Sequence, residues 1–381
     1  MNQRKFLTLS AAAVVLLGAG VWLSVHRGQQ GDLGGGAVFP DLKPALGDVE
    51  EIRLSKGDGS RTTLRRGANG WTVVERQYPA DGSRVRELVM NLVAMKVVEH
   101  KTSDPANYAK LGVEAPETPT AASTLLEVVA GKKTWSLIVG KGAEGRALYV
   151  RKPREAVSEL VEPSVVADPD QKRWVDRLIV DLPGANVHDI SVQPASGPAY
   201  LLTRAKRGDA NLALSPIPKG RTAASTMSID GQADALVAFN FDDVRPLPAA
   251  AGPPGDRATY RTFDGQVLAF SGRRADQKAY VTVSASHDAA LAAQFAPPAP
   301  PAPAAVPKPD PASAAKPAAA PVVTPAAPPT AVVERLEARA KGVEYEIPVY
   351  KYEAIFKPQE ELLEKKPEPA AAKKTLPTKK P

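Results

Sequence analysis

The glycine-rich segment at residues 140–145 is the part of the sequence that most resembles a chemical motif. It reads G-K-G-A-E-G and so matches the G-x-G-x-x-G pattern of dinucleotide-binding proteins. In those proteins a helix begins directly after the glycines, and its first backbone N–H groups face the pyrophosphate. Here residues 146–150 read R-A-L-Y-V, which is typical of a strand. The segment is therefore predicted to be a hairpin loop and not a nucleotide site.

A second match, Ser313-Ala-Ala-Lys316, has the S-x-x-K spacing of the penicillin-binding enzymes. It lies within residues 296–331, of which 27 out of 36 are proline or alanine. A segment of that composition cannot hold a serine rigidly beside a base. We therefore exclude it as a nucleophile.

Metal and thiol chemistry have little support in the sequence. There is no cysteine, which excludes disulfides, thiol nucleophiles, cysteine-ligated zinc and a lipid-bearing cysteine. The four histidines, at positions 26, 100, 188 and 287, are far apart, and none has a second histidine at ligand spacing. His188 is expected at the surface. Neither a metal site nor a cofactor is predicted.

Asp81 is the acidic residue with the best claim to a catalytic role. A catalytic carboxylate needs a partner that shifts its pKa, and His100 and Asp104 follow downstream. Alternatively, Pro79 fixes a turn and Asp81 caps the helix predicted to follow. Its counterpart in the second half of the chain is near Asp230, also before a predicted helix, which favours the structural role. We assign no catalytic residue and predict that the chain is not an enzyme.

The net charge of +7 is concentrated at the two ends of the chain. Residues 1–27 contain three basic residues and no acid, and residues 365–381 contain six lysines and one glutamate, so the body between them has a net charge of −1. A neutral body offers little attraction to phosphate, and nucleic-acid binding is excluded. The lysine-rich tail is either simply solvated or attracted to an anionic surface.

Residues 6–25 form an uncharged apolar run. As a helix it would span about 30 Å, the thickness of a bilayer core. Arg4 and Lys5 precede it and Trp22 lies near its far end, as expected for a membrane helix with a cytoplasmic N-terminus. The sequence thus predicts a single-pass protein of the bacterial inner membrane with its bulk in the periplasm, or otherwise extracytoplasmic. A cleaved signal peptide is the alternative.

Composition divides the chain into seven segments. They are a cytoplasmic stub and transmembrane anchor (1–27), a Gly-rich tether (28–46), two folded units (47–182 and 183–295), a Pro/Ala-rich low-complexity linker (296–331), a helix–strand segment (332–364) and a Lys/Pro-rich disordered tail (365–381).

The two folded units share three sequence blocks in the same order. Residues 49–54 match 187–192, residues 92–97 match 236–241, and residues 137–150 match 268–281, at offsets of 138, 144 and 131. Blocks that recur in order at similar spacing indicate an internal duplication. The predicted architecture is therefore an N-terminal transmembrane helix followed by two tandem, internally duplicated α+β units.

Each unit is predicted to place strands on both sides of a helix. Apolar residues alternate at 49–54 and 71–73, as in half-buried strands. Residues 85–93 have apolar positions at helical spacing, and a second short helix is marked by Asp104 at its start and Gly112 at its end. Residues 125–129 and 135–139 are expected to pair as a hairpin, and residues 174–179 to form a helix that joins the units.

The segment 332–364 has two possible roles. Residues 332–339 have a helical pattern and residues 343–347 alternate like a strand. The segment could stand apart beyond a spacer, or its strand could complete the sheet of the second unit. We favour the second, since so short a piece buries too little surface to fold alone.

These motifs resemble the family known as domain of unknown function 4340. The likeness rests on Tyr78-Pro-Ala-Asp81, on Tyr108-x-x-Leu-Gly112, on Tyr149-Val-Arg151 and on the segment 344–350, and it covers most of residues 40–290. It implies an accessory or scaffold role beside an ABC-type transporter or gliding-motility machinery, without catalytic residues. The Pro/Ala insertion and the lysine tail depart from the family pattern.

The leading functional hypothesis is a non-enzymatic, membrane-anchored extracytoplasmic scaffold that binds a partner protein, as an accessory subunit of an ABC-type transport or motility complex. The alternative is a cell-envelope module that binds peptidoglycan or polysaccharide of the cell wall. Trp71, Trp135 and Trp174 fall in apolar patterns and are expected in the core rather than as platforms for sugars.

Overall fold

The chain folds into two compact units, one ending at Asp176 and one beginning at Arg177. The computed structural model describes residues 35–248, 255–296 and 328–364. Of these residues, 39% lie in strands and 24% in helices. Both units are therefore mostly β-sheet, and the predicted α+β class is wrong.

The first unit contains nine strands and two α-helices within residues 35–176, the part of it that the structure describes. Its strands are β1 (Val49–Ser55), β2 (Arg61–Gly67), β3 (Gly70–Val73), β4 (Tyr78–Pro79), β5 (Lys96–Thr102), β6 (Thr124–Ala130), β7 (Lys133–Gly142), β8 (Leu148–Arg151) and β9 (Ser158–Glu162). Its helices are α1 (Gly82–Ala94) and α2 (Tyr108–Leu111), with 3-10 turns at Leu46–Asp48, Val74–Arg76, Pro105–Asn107 and Gln171–Arg173. All nine strands join one sheet in the order β4-β3-β2-β1-β6-β7-β8-β9-β5.

Alternating side chains build the core of this unit. Along β1, Ile52 and Leu54 are fully buried while Arg53 between them is exposed. Helix α1 buries Val85, Leu88, Val89 and Leu92 on one face. Full burial of one such side chain is worth about 1.5–3 kcal/mol, so this face contributes to holding α1 on the unit.

The predicted hairpin is present and its turn has a clear cause. Strands β6 and β7 pair antiparallel, with Leu126 opposite Leu137 and Ala130 opposite Lys133. Gly131 has a φ of +57°, a conformation that glycine adopts without steric cost. The sequence alternation and the Gly-Lys-Lys turn were enough to predict this element.

The described residues of the second unit, 177–248, 255–296 and 328–364, contain ten strands and four α-helices. Its strands are β10 (Leu178–Val180), β11 (Val187–Gln193), β12 (Tyr200–Thr203), β13 (Ala213–Ser215), β14 (Phe239–Asn240), β15 (Asp243–Pro246), β16 (Asp256–Thr262), β17 (Gln266–Ala275), β18 (Lys278–His287) and β19 (Val343–Ile347). Its helices are α3 (Thr226–Asp230), α4 (Ala289–Gln294), α5 (Pro329–Ala340) and α6 (Val349–Ile355), with 3-10 turns at Gly184–Asn186, Ala233–Leu236 and Gln359–Leu362.

The sheets of the two units follow the same topology. Eight strands of the second unit are ordered β13-β12-β11-β16-β17-β18-β19-β15, while β10 pairs separately with β14. In both sheets the first long strand (β1 or β11) lies between its hairpin partner (β2 or β12) and a later strand (β6 or β16). A register shift occurs at the same place in each, between Val49 and Glu51 and between Val187 and Asp189. These pairs are separated by the 138 residues that separate the first repeated sequence blocks.

The C-terminal segment completes the sheet of the second unit. Strand β19 lies between β18 and β15, with Tyr345 opposite both Val281 and Val244. Tyr345 is fully buried. The Glu344 side chain is 4% exposed and accepts hydrogen bonds from Arg245 and Arg273. Burial opposes ionisation of Glu344, but the hydrogen bonds from the two arginines outweigh it and lower its pKa.

One predicted helix is absent from the structure and another is much shorter than predicted. Residues 174–179 form no helix, because their backbone pairs with another segment: Asp81 N–H donates to Trp174 O at 2.7 Å, and Asp176 N–H donates to Pro79 O at 3.0 Å. In the second unit the expected counterpart of α1 is reduced to the five residues of α3 and a 3-10 turn. Asp230 is the last residue of α3 and does not precede it.

The predicted membrane anchor at residues 6–25 lies outside the described residues. Among the helices within the described ranges, none combines the length and the apolar character needed to cross a bilayer. The structure therefore does not support the predicted single-pass location at the inner membrane, and we withdraw that prediction.

Candidate functional site

Asp81 is a helix cap and is fully engaged in that role. Its Oδ1 accepts hydrogen bonds from Ser83 N at 2.9 Å and Arg84 N at 3.2 Å, and its Oδ2 accepts from Arg84 Nε at 3.0 Å. Partial burial disfavours the charged form, but the hydrogen bonds from Ser83 and Arg84 outweigh it and lower the pKa of the carboxyl. A carboxylate held ionised in this way is a poor proton acceptor near neutral pH.

The structure does not bring His100 to Asp81. Asp81 follows β4 and His100 lies on β5, and these two strands are the opposite edges of the nine-stranded sheet. Helix α1, about 20 Å long, also separates them. His100 is half-exposed and its Nδ1 lies 3.4 Å from Glu159 Oε1. Burial raises the pKa of Glu159, against the charges of Lys152 and His100.

Asp104 and the glycine-rich loop have the local structures that the sequence predicted. Asp104 Oδ1 accepts a hydrogen bond from Ala106 N at 3.0 Å and caps a 3-10 turn. Residues 140–145 belong to the end of β7 and the connection to β8, and no helix follows them. The helix N-terminus that a dinucleotide would need is therefore missing at this loop.

The three histidines that the structure describes each have different contacts. His188, expected at the surface, is mostly buried, with its ring 5.3 Å from that of Phe263 and 4.9 Å from that of Phe295. His287 Nε2 lies 3.1 Å from Asp264 O. In the part of the chain that the structure describes, no group of three or more His, Cys, Asp or Glu side chains is arranged to hold a metal ion. His26, Ser313 and the lysine-rich tail lie outside the described residues.

Two of the three tryptophans considered above are core residues. Trp135 is 7% exposed and its Nε1 donates to Asp41 Oδ1 at 2.9 Å. Trp174 is 2% exposed and its Nε1 donates to Asp168 O at 2.7 Å. Trp71 is half-buried. The rings of Trp135 and Trp174 are therefore not available to stack on a sugar.

A groove beside α1 is a concave site of the first unit, and we call it the α1 groove. Its deeper part has a volume of about 350 Å³. One side is formed by a stripe of α1 at helical spacing. The other is formed by the connection before β8, the segment after β9 and the chain around the 3-10 turn at Gln171–Arg173. The lining residues are Arg84, Glu87, Leu88, Asn91, Arg146, Ser164, Val166, Arg173 and Trp174.

The wall opposite α1 is fixed by hydrogen bonds. Asn91 Nδ2 donates to Ser164 O at 3.2 Å, and Ser164 N–H donates to Arg146 O at 2.7 Å. The hydrogen bond from Asp81 N–H to Trp174 O fixes residues 171–174 beside the start of α1. Because α1, residues 163–166 and residues 171–174 are joined in this way, the groove is a built feature of the unit.

The α1 groove continues past the end of the helix. A shallower part, of about 820 Å³, shares Asn91 and Arg146 with the deeper part and extends to Lys96, Val98 and Glu162. Val98 is 43% exposed, and Val166 in the deeper part is 48% exposed. The site therefore combines open ends, basic side chains and exposed apolar side chains.

The sequence held a weak signal for this site. The polar positions of α1 at 84, 87 and 91 form one helical stripe, which on its own predicts only a solvated face. Arg146 and Arg173 come from separate connections, and only the fold brings them to that stripe. The groove therefore could not be predicted from the sequence alone.

About half of the chain, including nearly all of the α1 groove, matches the model of one protein family. The model of the family described as domain of unknown function (DUF4340) matches residues 71–262, about half of the chain. The match begins in β3 and ends in β16, and so includes α1 and the whole α1 groove except Gly35. No curated protein and no solved structure shows significant similarity to the chain.

Proposed function

The chain belongs to the DUF4340 family, and on that premise we propose that it is a non-enzymatic scaffold that binds a partner protein through the α1 groove. The observation that carries the proposal is the groove itself: it is rigidly framed, open at its ends, and lined by both charged and apolar side chains. Protein interfaces have this mixture, with arginine enriched among the residues that contribute most to affinity.

The polar residues around the groove favour binding over catalysis. Asp81, at the start of α1, is occupied by capping hydrogen bonds, and its pKa is lowered instead of raised. Asn91 is engaged with the opposite wall. Acid–base catalysis would need a group poised near neutral pH and free to exchange a proton.

The family resemblance supports an ABC-type transport or motility complex as the setting, with this chain as its accessory subunit. A cell-envelope module remains the alternative outcome of the test. Burial of Trp135 and Trp174 weakens that alternative, because sugar-binding sites use exposed aromatic faces.

Site-specific photo-cross-linking in native cells tests the proposal. A photoreactive residue at Glu87, inside the groove, is expected to capture a protein. The same residue at Arg154, an exposed position just beyond the other end of β8, is the matched control and should not. Equal capture at both positions, or retention of the protein on purified cell wall with no protein captured at Glu87, would overturn the scaffold hypothesis.

A further inference from the structure

We propose that the α1 groove binds an acidic, extended segment of another protein, with Arg146 as the main anchor for its carboxylates. This inference rests on the proposed function and names the class of ligand. It begins from the charge of the lining: three arginines and one glutamate surround the deeper part, a net charge of +2.

The three arginines differ in whether an acidic side chain of the same unit already lies beside them. Arg84 Nε lies 3.0 Å from Asp81 Oδ2, and Arg173 Nε lies 4.0 Å from Asp168 Oδ2. The exposed side chain of Arg146 has no hydrogen bond or ion pair with any residue that the structure describes. Its planar guanidinium can therefore donate two parallel hydrogen bonds to one carboxylate.

The shape of the groove favours a polypeptide over a small molecule. A small-molecule site encloses most of its ligand, whereas here the deeper part opens into the shallower part through Asn91 and Arg146. The stripe from Arg84 to Ala94 is about 15 Å long as a helix, which equals about five residues of extended chain. Exposed Val98 and Val166 offer contacts for apolar side chains between the acidic ones.

The acidic segment must come from another molecule. Outside the described residues, residues 1–34 contain three basic residues and one aspartate, residues 297–327 two lysines and one aspartate, and residues 365–381 six lysines and one glutamate, while residues 249–254 have no charge. The three charged stretches each have a net positive charge and would be repelled by the arginines. Charge complementarity therefore points to a separate partner.

Fluorescence anisotropy on the purified full-length chain provides the test. The probe is a labelled peptide that alternates glutamate with valine, and its partner probe has glutamine in place of glutamate. We expect Arg146→Glu to weaken binding of the glutamate peptide by about tenfold or more, since a hydrogen-bonded charge pair becomes a repulsion. Arg146→Lys should give a smaller loss, because lysine keeps the charge but not the bidentate geometry.

Arg154→Glu is the matched control. It changes the net charge by the same amount at an exposed position away from the groove, so it corrects for attraction of the peptide to the lysine-rich tail. Equal losses in Arg146→Glu and Arg154→Glu would overturn the proposal. So would equal affinity for the glutamine peptide, or displacement of the peptide by inorganic phosphate at equal charge concentration.

The two tests separate the two hypotheses. Protein capture at Glu87 together with unchanged peptide binding in Arg146→Glu would leave the scaffold standing and reject the acidic ligand. Loss of peptide binding in Arg146→Glu without protein capture at Glu87 would support an acidic-segment site and reject the scaffold role.

Discussion

Asp81 illustrates how one side chain can look catalytic in sequence and be structural in the fold. Its Oδ1 accepts hydrogen bonds from the backbone N–H groups of Ser83 and Arg84, which have no partner inside the helix, and its Oδ2 accepts from the Arg84 side chain. We therefore expect substitution of Asp81 to change the stability of the protein and not a catalytic activity.

The first prediction concerns the stability that this cap provides. Asp81→Ala is expected to lower the free energy of unfolding by about 1 kcal/mol near pH 7. Because the pKa of Asp81 is lowered in the folded state, the stabilisation is present above the unfolded pKa of about 3.9 and is lost as the pH falls through the folded value. Urea unfolding of both proteins from pH 7 to pH 3 should show the difference shrinking.

Glu144→Ala is the control for that series, since Glu144 is exposed and lies in the loop after β7. It should leave the unfolding free energy unchanged within about 0.5 kcal/mol. If Asp81→Ala behaves like this control at neutral pH, the capping role is wrong.

At the scale of elements, the glycine-rich loop shows which of its glycines the fold requires. A Cβ atom on Gly140 would lie 2.5 Å from Leu111 O and 2.7 Å from a methyl group of Val113, at the end of α2. A Cβ atom on Gly142 would meet no atom within 4 Å. The motif is therefore explained in part by close packing of β7 against α2, a cause unrelated to phosphate.

The second prediction follows from that difference. Gly140→Ala is expected to destabilise the first unit by about 1–3 kcal/mol, because α2 must shift or β7 must bend. Gly142→Ala should be neutral or stabilise slightly, since alanine fits and restricts the unfolded chain. Thermal unfolding of the two variants side by side gives the comparison, and an equal effect at both positions would contradict the packing argument.

At the scale of the whole molecule, the C-terminal segment is an integral part of the second unit although it is remote in sequence. Between Ala296 and Pro328 lie 31 residues, yet β19 pairs with strands on both of its sides. Its neighbour α5 buries Val333 and Leu336. Loss of this segment would expose an edge of β18, which is in the interior of the sheet.

The third prediction is that a chain ending at Ala296 loses the fold of its second unit. Hydrogen exchange should show amides of β16, β17 and β18 losing protection, while β1, β6 and β7 in the first unit keep theirs. A chain ending at Glu364, which lacks only residues 365–381, should match the full-length protein. Full protection of β18 in the shorter chain would show that the segment is dispensable.

The sequence was informative wherever a local rule decided the structure. The alternation at Ile52 and Leu54, the turn at Gly131 and the cap at Asp81 each depend on residues within a few positions of one another. The repeated blocks likewise marked two regions that the structure builds on the same strand order. The family resemblance agreed with the matched residues 71–262.

The sequence failed wherever distant segments compete for the same backbone or surface. The helical spacing at 174–179 was real, but pairing of Trp174 with Asp81 decided the conformation. The prediction that His188 lies at the surface was wrong, since its ring packs beside Phe263 and Phe295, which are far along the chain. Strands as short as β4 and β14, two residues each, were not predicted because they carry no periodic signal.

By itself, then, the sequence determined the caps, the turns, the longer strands and the twofold repetition. These features depend on short-range sterics and on the periods of helix and strand, which involve only neighbouring residues. The sequence favoured entry of residues 343–347 into the sheet of the second unit. Only the tertiary structure decided that β19 lies between β18 and β15, and that Arg146 and Arg173 meet the polar stripe of α1. Those contacts join residues from separate parts of the chain, and their free energy depends on packing that no local pattern encodes.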